Sequence, residues 1–131
     1  MYLLDTNACI RILNNSSRVL VTRLQSEDSS VIRLCSIVKA ELLYGARHSD
    51  RSTENLAILG RFFAAFISLP FDDRCAEFAS IIRSTLATRG RPIGPNDILI
   101  AATAMAHNLT LVTHNSREFS RVDGLQIDDW E

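Results

Sequence analysis

Residues 97–113 read Asp97-Ile98-Leu99-Ile100-Ala101-Ala102-Thr103-Ala104-Met105-Ala106-His107-Asn108-Leu109-Thr110-Leu111-Val112-Thr113. The alanine-rich half predicts a helix over residues 97–106. His107-Asn108 breaks it, and residues 109–113 predict a short buried strand. Residues 98–116 carry no Lys, Arg, Asp or Glu. The break still divides them into two elements, each too short for a bilayer, which takes roughly 20 apolar residues in one helix. The strongest apolar run elsewhere, residues 62–71, is also too short.

The same alternation of strand and helix extends outward from this stretch. Tyr2-Leu3-Leu4 is a strand that ends at Asp5, and residues 6–13 start a helix. Asn14-Asn15-Ser16-Ser17 is a turn, followed by a helix over residues 18–25. Residues 31–35 predict a strand, with Ser36 as N-cap of a helix over residues 37–46. After a polar loop at residues 48–53, apolar residues at 56, 59, 62, 63 and 66 have helical spacing. Residues 68–71 predict a strand, and Asp72 or Asp73 caps a helix to about Thr88. Residues 89–96 form a Gly/Pro loop. Beyond the opening stretch, residues 116–119 make a helical turn and residues 125–127 a last strand. Strands separated by helices predict an α/β fold with a mainly parallel central sheet flanked by helices. Ligands of such sheets sit beyond the carboxyl ends of the strands, near a switch in strand order. Asp5 and His114-Asn115 lie there.

Composition narrows the class. The chain has 131 residues, 47% hydrophobic and 22% charged, with 14 Lys+Arg against 15 Asp+Glu for a net charge of −1. One globular domain over residues 1–131 is expected, and disorder is excluded as the main state. A polycationic nucleic-acid coat is excluded by the charge balance. Only Lys39 is a lysine among the basic residues, which counts against lysine-centred chemistry. Cys9, Cys35 and Cys75 are odd in number, lie in apolar surroundings and form no CxxC, so buried free thiols are expected. No secretory signal is read at the start, and a cytoplasmic location is expected.

Three carboxylates interrupt apolar surroundings: Asp5 after Tyr2-Leu3-Leu4, Glu41 within Ile37-Val38-Lys39-Ala40-Glu41-Leu42-Leu43, and Asp97 before Ile98-Leu99-Ile100. Each has an ordinary reading. Asp5 and Asp97 stand where N-caps stand, and Glu41 can face solvent beside Lys39. Together they also fit a shared cation, because carboxylates near a core are costly unless paired, hydrogen-bonded or metal-bound. Oxygen ligands favour Mg²⁺ or Mn²⁺ over Zn²⁺. His48, His107 and His114 have no metal-site spacing.

The chain resembles PIN-domain ribonucleases of the VapC toxin type. The resemblance runs through Leu4-Asp5-Thr6-Asn7, residues 36–46, residues 91–102, residues 111–119 and Ile127-Asp128-Asp129-Trp130. It implies a three-layer PIN-like fold. Its acidic site falls on Asp5, Glu41 and Asp97, with Asp5 and Asp97 as principal metal ligands and Glu41 completing the set. Glu118 is the best match to a fourth acid, and a solvated helix-start acid is its other reading. Thr6, Thr113 and Asn115 resemble polar residues that orient the acids or a metal-bound water. Where relatives often carry two Asn, this chain has His114-Asn115, and the role of His114 stays open.

The activity so implied is hydrolysis of RNA phosphodiesters by a Mg²⁺- or Mn²⁺-activated water, leaving 5′-phosphate and 3′-hydroxyl ends. Transfer RNA is one substrate class among relatives and ribosomal RNA another. The implied partners are a VapB-type antitoxin and a homodimer or toxin–antitoxin hetero-oligomer, with no membrane. Phe62, Phe63 and Phe66 fit either a core or a dimer surface. The net charge includes the four site acids, so the rest of the chain is +3. Arg89, Arg91, Arg117 and Arg121 flank the site in sequence as phosphate contacts. Two other readings are weighed. One is a non-catalytic PIN fold that binds RNA or protein. The other is an aspartyl-phosphate phosphatase, which needs a second Asp where Asn7 stands and a downstream Lys.

Overall fold

The computed structural model describes all residues, 1–131. Five strands form one parallel sheet in the order β3-β2-β1-β4-β5: β1 (Tyr2–Leu4), β2 (Ile32–Cys35), β3 (Ile67–Leu69), β4 (Thr110–Val112) and β5 (Ile127–Asp128). Every pairing is parallel, as strand–helix alternation demands. The chain winds from β1 outward to β3, then crosses back to place β4 on the other side of β1. The order therefore switches between β1 and β4, where Leu4 pairs with Val112. The Asp5 N–H still donates to Val112 O at 3.1 Å, so the pairing reaches the residue that ends β1.

The helices are α1 (Thr6–Leu13), α2 (Arg18–Ser26), α3 (Ser36–Arg47), α4 (Ser52–Ala64), α5 (Asp73–Thr88), α6 (Pro95–Ala106) and α7 (Ser116–Phe119). Their starts have chemical causes. Asp5 Oδ1 accepts from Ala8 N at 2.7 Å, Ser17 Oγ from Leu20 N at 3.3 Å and Asp72 Oδ1 from Cys75 N at 3.0 Å. α6 starts at Pro95, two residues ahead of the helix read from sequence, because proline is preset for the first helical position. Asn108, at φ 53°, closes α6 in the left-handed region, and Leu109 N donates back to Ala104 O at 2.8 Å. This is the physical content of the His107-Asn108 break.

α6 packs against α5, and α3 against α1 and α4, all around the sheet. Ile100, Ala101, Ala102, Thr103 and Ala104 are fully buried. The small side chains let α6 lie in the middle of the fold with apolar contact on most sides. No helix is long and apolar enough to cross a membrane. All three cysteines are buried and free.

Several boundaries differ from the sequence reading. Ser36 is not the N-cap of α3; Cys35 holds that position without a side-chain bond, and Ser36 Oγ donates across to Leu69 O at 3.4 Å. Ser29–Val31 is a 3-10 turn capped by Asp28, so β2 starts one residue later than expected. α4 begins at Ser52 and stops at Ala64, leaving Phe66 in the turn before β3. β5 falls on Ile127–Asp128, not on residues 125–127, because Leu111 and Val112 fix its register. Phe62, Phe63 and Phe66 are half-buried against the core, with Phe62 and Phe66 edge to face at 5.3 Å.

Candidate active site

The carboxyl ends of β1 and β4 meet at the switch in strand order. Asp5 leaves β1 there and is only 4% exposed. Burial pushes its carboxyl above the usual range. The Thr113 hydroxyl and the Ala8 N–H oppose that by bonding the charged form, while Glu131 and Glu41 add repulsion. Asp5 is thus both the N-cap of α1 and close enough to Glu41 and Glu131 to feel their charge.

Glu41 comes in from α3. Thr6 Oγ1 donates to its Oε1 at 2.7 Å, a bond between residues 35 apart in the chain. Lys39 does not pair with it; its ammonium lies over the Phe63 ring at 4.8 Å. Asp97 sits in the first turn of α6 and is half-buried. It does not cap that helix, whose N-cap is Gly94. Its carboxyl is pushed up to about 6, first by burial and then by the charges of Glu118, Glu41 and Asp5. All three carboxylates are therefore near enough to Asp97 to repel its charge.

Glu118, from α7, is held from two sides. Gly94 N donates to Oε1 at 3.0 Å and Asn115 Nδ2 to Oε2 at 2.6 Å. These two donors hold its carboxyl below the usual range. Thr113 Oγ1 accepts from Asn115 N at 3.0 Å, which fixes the turn that presents the amide. Gly94 matters for space as well: a Cβ there would stand 3.2 Å from Asp97 Oδ2.

None of Asp5, Glu41, Asp97 or Glu118 forms a salt bridge with Arg, Lys or His. The group is a self-repelling set of oxygen donors whose hydrogen-bond partners are neutral. A divalent cation fits that chemistry, and oxygen-only donors suit Mg²⁺ or Mn²⁺. The one trio of metal-ligating side chains whose ligand atoms all lie within 4.8 Å is a different one, His114, Asp129 and Glu131. No three of the four acids bring their ligand atoms that close together. The exposed trio is already engaged, since Arg11 pairs with Glu131 at 2.7 Å and His114 Nδ1 meets Asp129 Oδ2 at 2.9 Å.

Two of the four arginines expected to reach phosphate are engaged elsewhere. Arg89 forks onto Asp123 at 2.6 and 3.1 Å, and Arg121 Nη1 donates to Pro92 O at 3.1 Å. Arg91 and Arg117 are exposed. Arg11, which sequence reasoning passed over, lines a cleft with Asn7, Ile10, His114 and Asn115 beside the acids. Its only sequence signal is helical spacing: it lies one turn beyond Asn7 on α1.

The PIN domain family matches residues 2–125. The tRNA(fMet)-specific endonuclease VapC of Shigella flexneri is 37% identical over 129 residues, 98% of this chain and 97% of that protein. Ribonuclease VapC2 of Rickettsia felis is 35% identical over 132 residues, 100% of this chain and 98% of that protein. Among solved structures, the DNA-bound VapBC of Salmonella typhimurium superposes with a TM-score of 0.94 at 37% identity, covering 99% of this chain and 98% of that one.

Proposed function

The chain belongs to the PIN-domain family, among its VapC ribonucleases, and from that premise we propose that it is a Mg²⁺- or Mn²⁺-dependent endoribonuclease acting as the toxin of a toxin–antitoxin pair. The observation that supports the metal is the convergence of four unpaired carboxylates at the strand switch, with Asp97 pushed up to about 6 by burial and its acidic neighbours. A bound divalent ion would supply an activated water at neutral pH and neutralise charge on the phosphodiester.

The protein's own part is to hold and orient. Asp5 is fixed by the Ala8 N–H, and Glu41 by the Thr6 hydroxyl. Each carboxylate accepts several bonds, so one or two such partners leave lone pairs for a cation. Glu118 is steadied by Gly94 and Asn115 and completes the ring of charge. Asp5 and Asp97 are the principal ligands in this reading, Glu41 and Glu118 the supporting acids. Thr6, Thr113 and Asn115 set their directions.

The substrate is RNA, with transfer RNA the favoured class because the Shigella flexneri relative is named for it. The partner is a VapB-type antitoxin, as in the related VapBC complex. An apolar groove of about 330 Å³, lined by Ile10, Leu13, Leu42, Ile58 and Leu59, opens beside Glu41 and suits an antitoxin segment whose end reaches the acids. Assembly as a homodimer or toxin–antitoxin hetero-oligomer follows from the same likeness.

The test is cleavage of total RNA by the purified chain in Mg²⁺ or Mn²⁺, with sequencing of the new ends. Cuts confined to a few transfer RNAs, bearing 5′-phosphates and abolished by EDTA, are expected. Cleavage undiminished by EDTA, or RNA bound but never cut, overturns the reading.

A further inference from the structure

Beside the acids lies a polar cleft of about 360 Å³ lined by Asn7, Ile10, Arg11, His114 and Asn115. It shares a wall with the site: Asn7 follows Asp5-Thr6, and Asn115 is the residue whose amide holds Glu118. The volume lies within the usual range for ligand clefts, about 300–1,000 Å³. No step described above uses Arg11 or His114.

Both side chains are held by the segment after β5. Arg11 Nε and Nη2 converge on Glu131 Oε1 at 2.8 and 2.7 Å. His114 Nδ1 meets Asp129 Oδ2 at 2.9 Å and Oδ1 at 3.2 Å, and Glu131 N donates to Asp129 Oδ1 at 3.0 Å. Trp130 anchors the segment between these acids. It is 4% exposed, lies under the Arg23 guanidinium at 4.6 Å, meets Tyr2 edge to face at 5.0 Å and donates to Asp128 Oδ2 at 3.1 Å. Their remaining groups face outward: the His114 side chain is 62% and that of Arg11 42% exposed. In the neutral imidazole, the Asp129 carboxylate facing Nδ1 selects the tautomer with the proton there and the lone pair on Nε2. Arg11 keeps Nη1 unbonded, and the amides of Asn7 and Asn115 add donors and acceptors.

This set matches a sugar–phosphate unit. A guanidinium suits a phosphate oxygen. A fixed imidazole lone pair accepts from a hydroxyl, and the ribose 2′-hydroxyl is what distinguishes RNA from DNA. We propose that the cleft holds one ribose–phosphate unit beside the scissile bond, Arg11 on the phosphate and His114 Nε2 on the 2′-hydroxyl. The proposal rests on the reading of the neighbouring acids as an RNA-cleaving site, and it deepens that reading by assigning RNA-over-DNA selectivity.

Binding of matched short single-stranded RNA and DNA oligonucleotides, followed by fluorescence anisotropy in EDTA at low salt, tests it without cleavage. His114→Ala should weaken RNA binding about tenfold and leave DNA binding unchanged. Arg11→Gln should weaken both and reduce the salt slope by about one. His114 is exposed, and unchanged melting of its variant would exclude a folding effect. RNA affinity unaltered by His114→Ala overturns the proposal, as does an equal loss for DNA or no measurable RNA binding by the parent chain. Cleavage is read separately in Mg²⁺. A parent that cuts RNA while His114→Ala binds normally sinks the subsite alone. A parent that discriminates through His114 but never cuts sinks the nuclease reading alone.

Discussion

Replacing Asp97 with Asn removes a carboxyl whose ionisation the fold resists. Its value rises from 3.8 to about 6 through burial and the charges of Glu118, Glu41 and Asp5. Each unit of difference is worth about 1.4 kcal/mol, so a fully buried group would carry about 3 kcal/mol. Asp97 is only half-buried, and solvent screening reduces this to about 1–2 kcal/mol. The folded value lies above the unfolded one, so the native state binds a proton at higher pH than the unfolded chain. The cost is fully present above about pH 7, shrinks as pH falls through about 6 and is gone below about 4. Metal-free Asp97→Asn should therefore be more stable than the parent by about 1–2 kcal/mol at pH 8, a rise of roughly 3–10 °C in Tm for a domain of this size. Urea unfolding in EDTA at pH 8 and at pH 4.5 measures the gain, which should be small at the lower pH. Saturating Mg²⁺ should narrow or reverse the order, because the ion stabilises only the chain that binds it. A variant less stable than the parent at pH 8 in EDTA, or a gain of equal size at both pH values, would refute the reasoning.

Two further substitutions separate orientation from stability. Thr6→Val deletes the 2.7 Å bond to Glu41; metal affinity measured by calorimetry should fall about tenfold, with little change in melting. Gly94→Ala fits the backbone, since φ is −55° and ψ 144°, but its Cβ would crowd Asp97 Oδ2 at 3.2 Å. Cleavage rate should drop about tenfold while stability changes by less than about 1 kcal/mol; normal rates would show that Asp97 can yield without loss.

The parts of the site legible in the sequence are those with local causes. Asp5, Glu41 and Asp97 stood out because each carboxylate interrupts an apolar stretch, and strand–helix alternation placed Asp5 and Asn115 at strand ends. The strand order β3-β2-β1-β4-β5 has no local cause; it depends on which buried strands pair across long separations. The same holds for the supporting bonds. Glu118 depends on Gly94, 24 residues away, and Arg11 on Glu131, 120 residues away. Arg89 and Arg121 looked available for phosphate because Asp123 and the Pro92 carbonyl are invisible as partners until the chain is folded. Ser36 looked like a cap because its hydroxyl's partner, the Leu69 carbonyl, lies on another strand.

Calorimetric titration of the purified chain with Mn²⁺, at pH 6 and at pH 8, puts the cation at the four acids to its most direct test. Burial and its acidic neighbours push the Asp97 carboxyl up to about 6, so binding should release a substantial fraction of a proton at pH 6 and almost none at pH 8. Asp5→Asn together with Asp97→Asn should abolish both the binding and the proton release while the fold persists. Mn²⁺ bound equally well by that double variant would place the ion elsewhere and contradict the proposed centre.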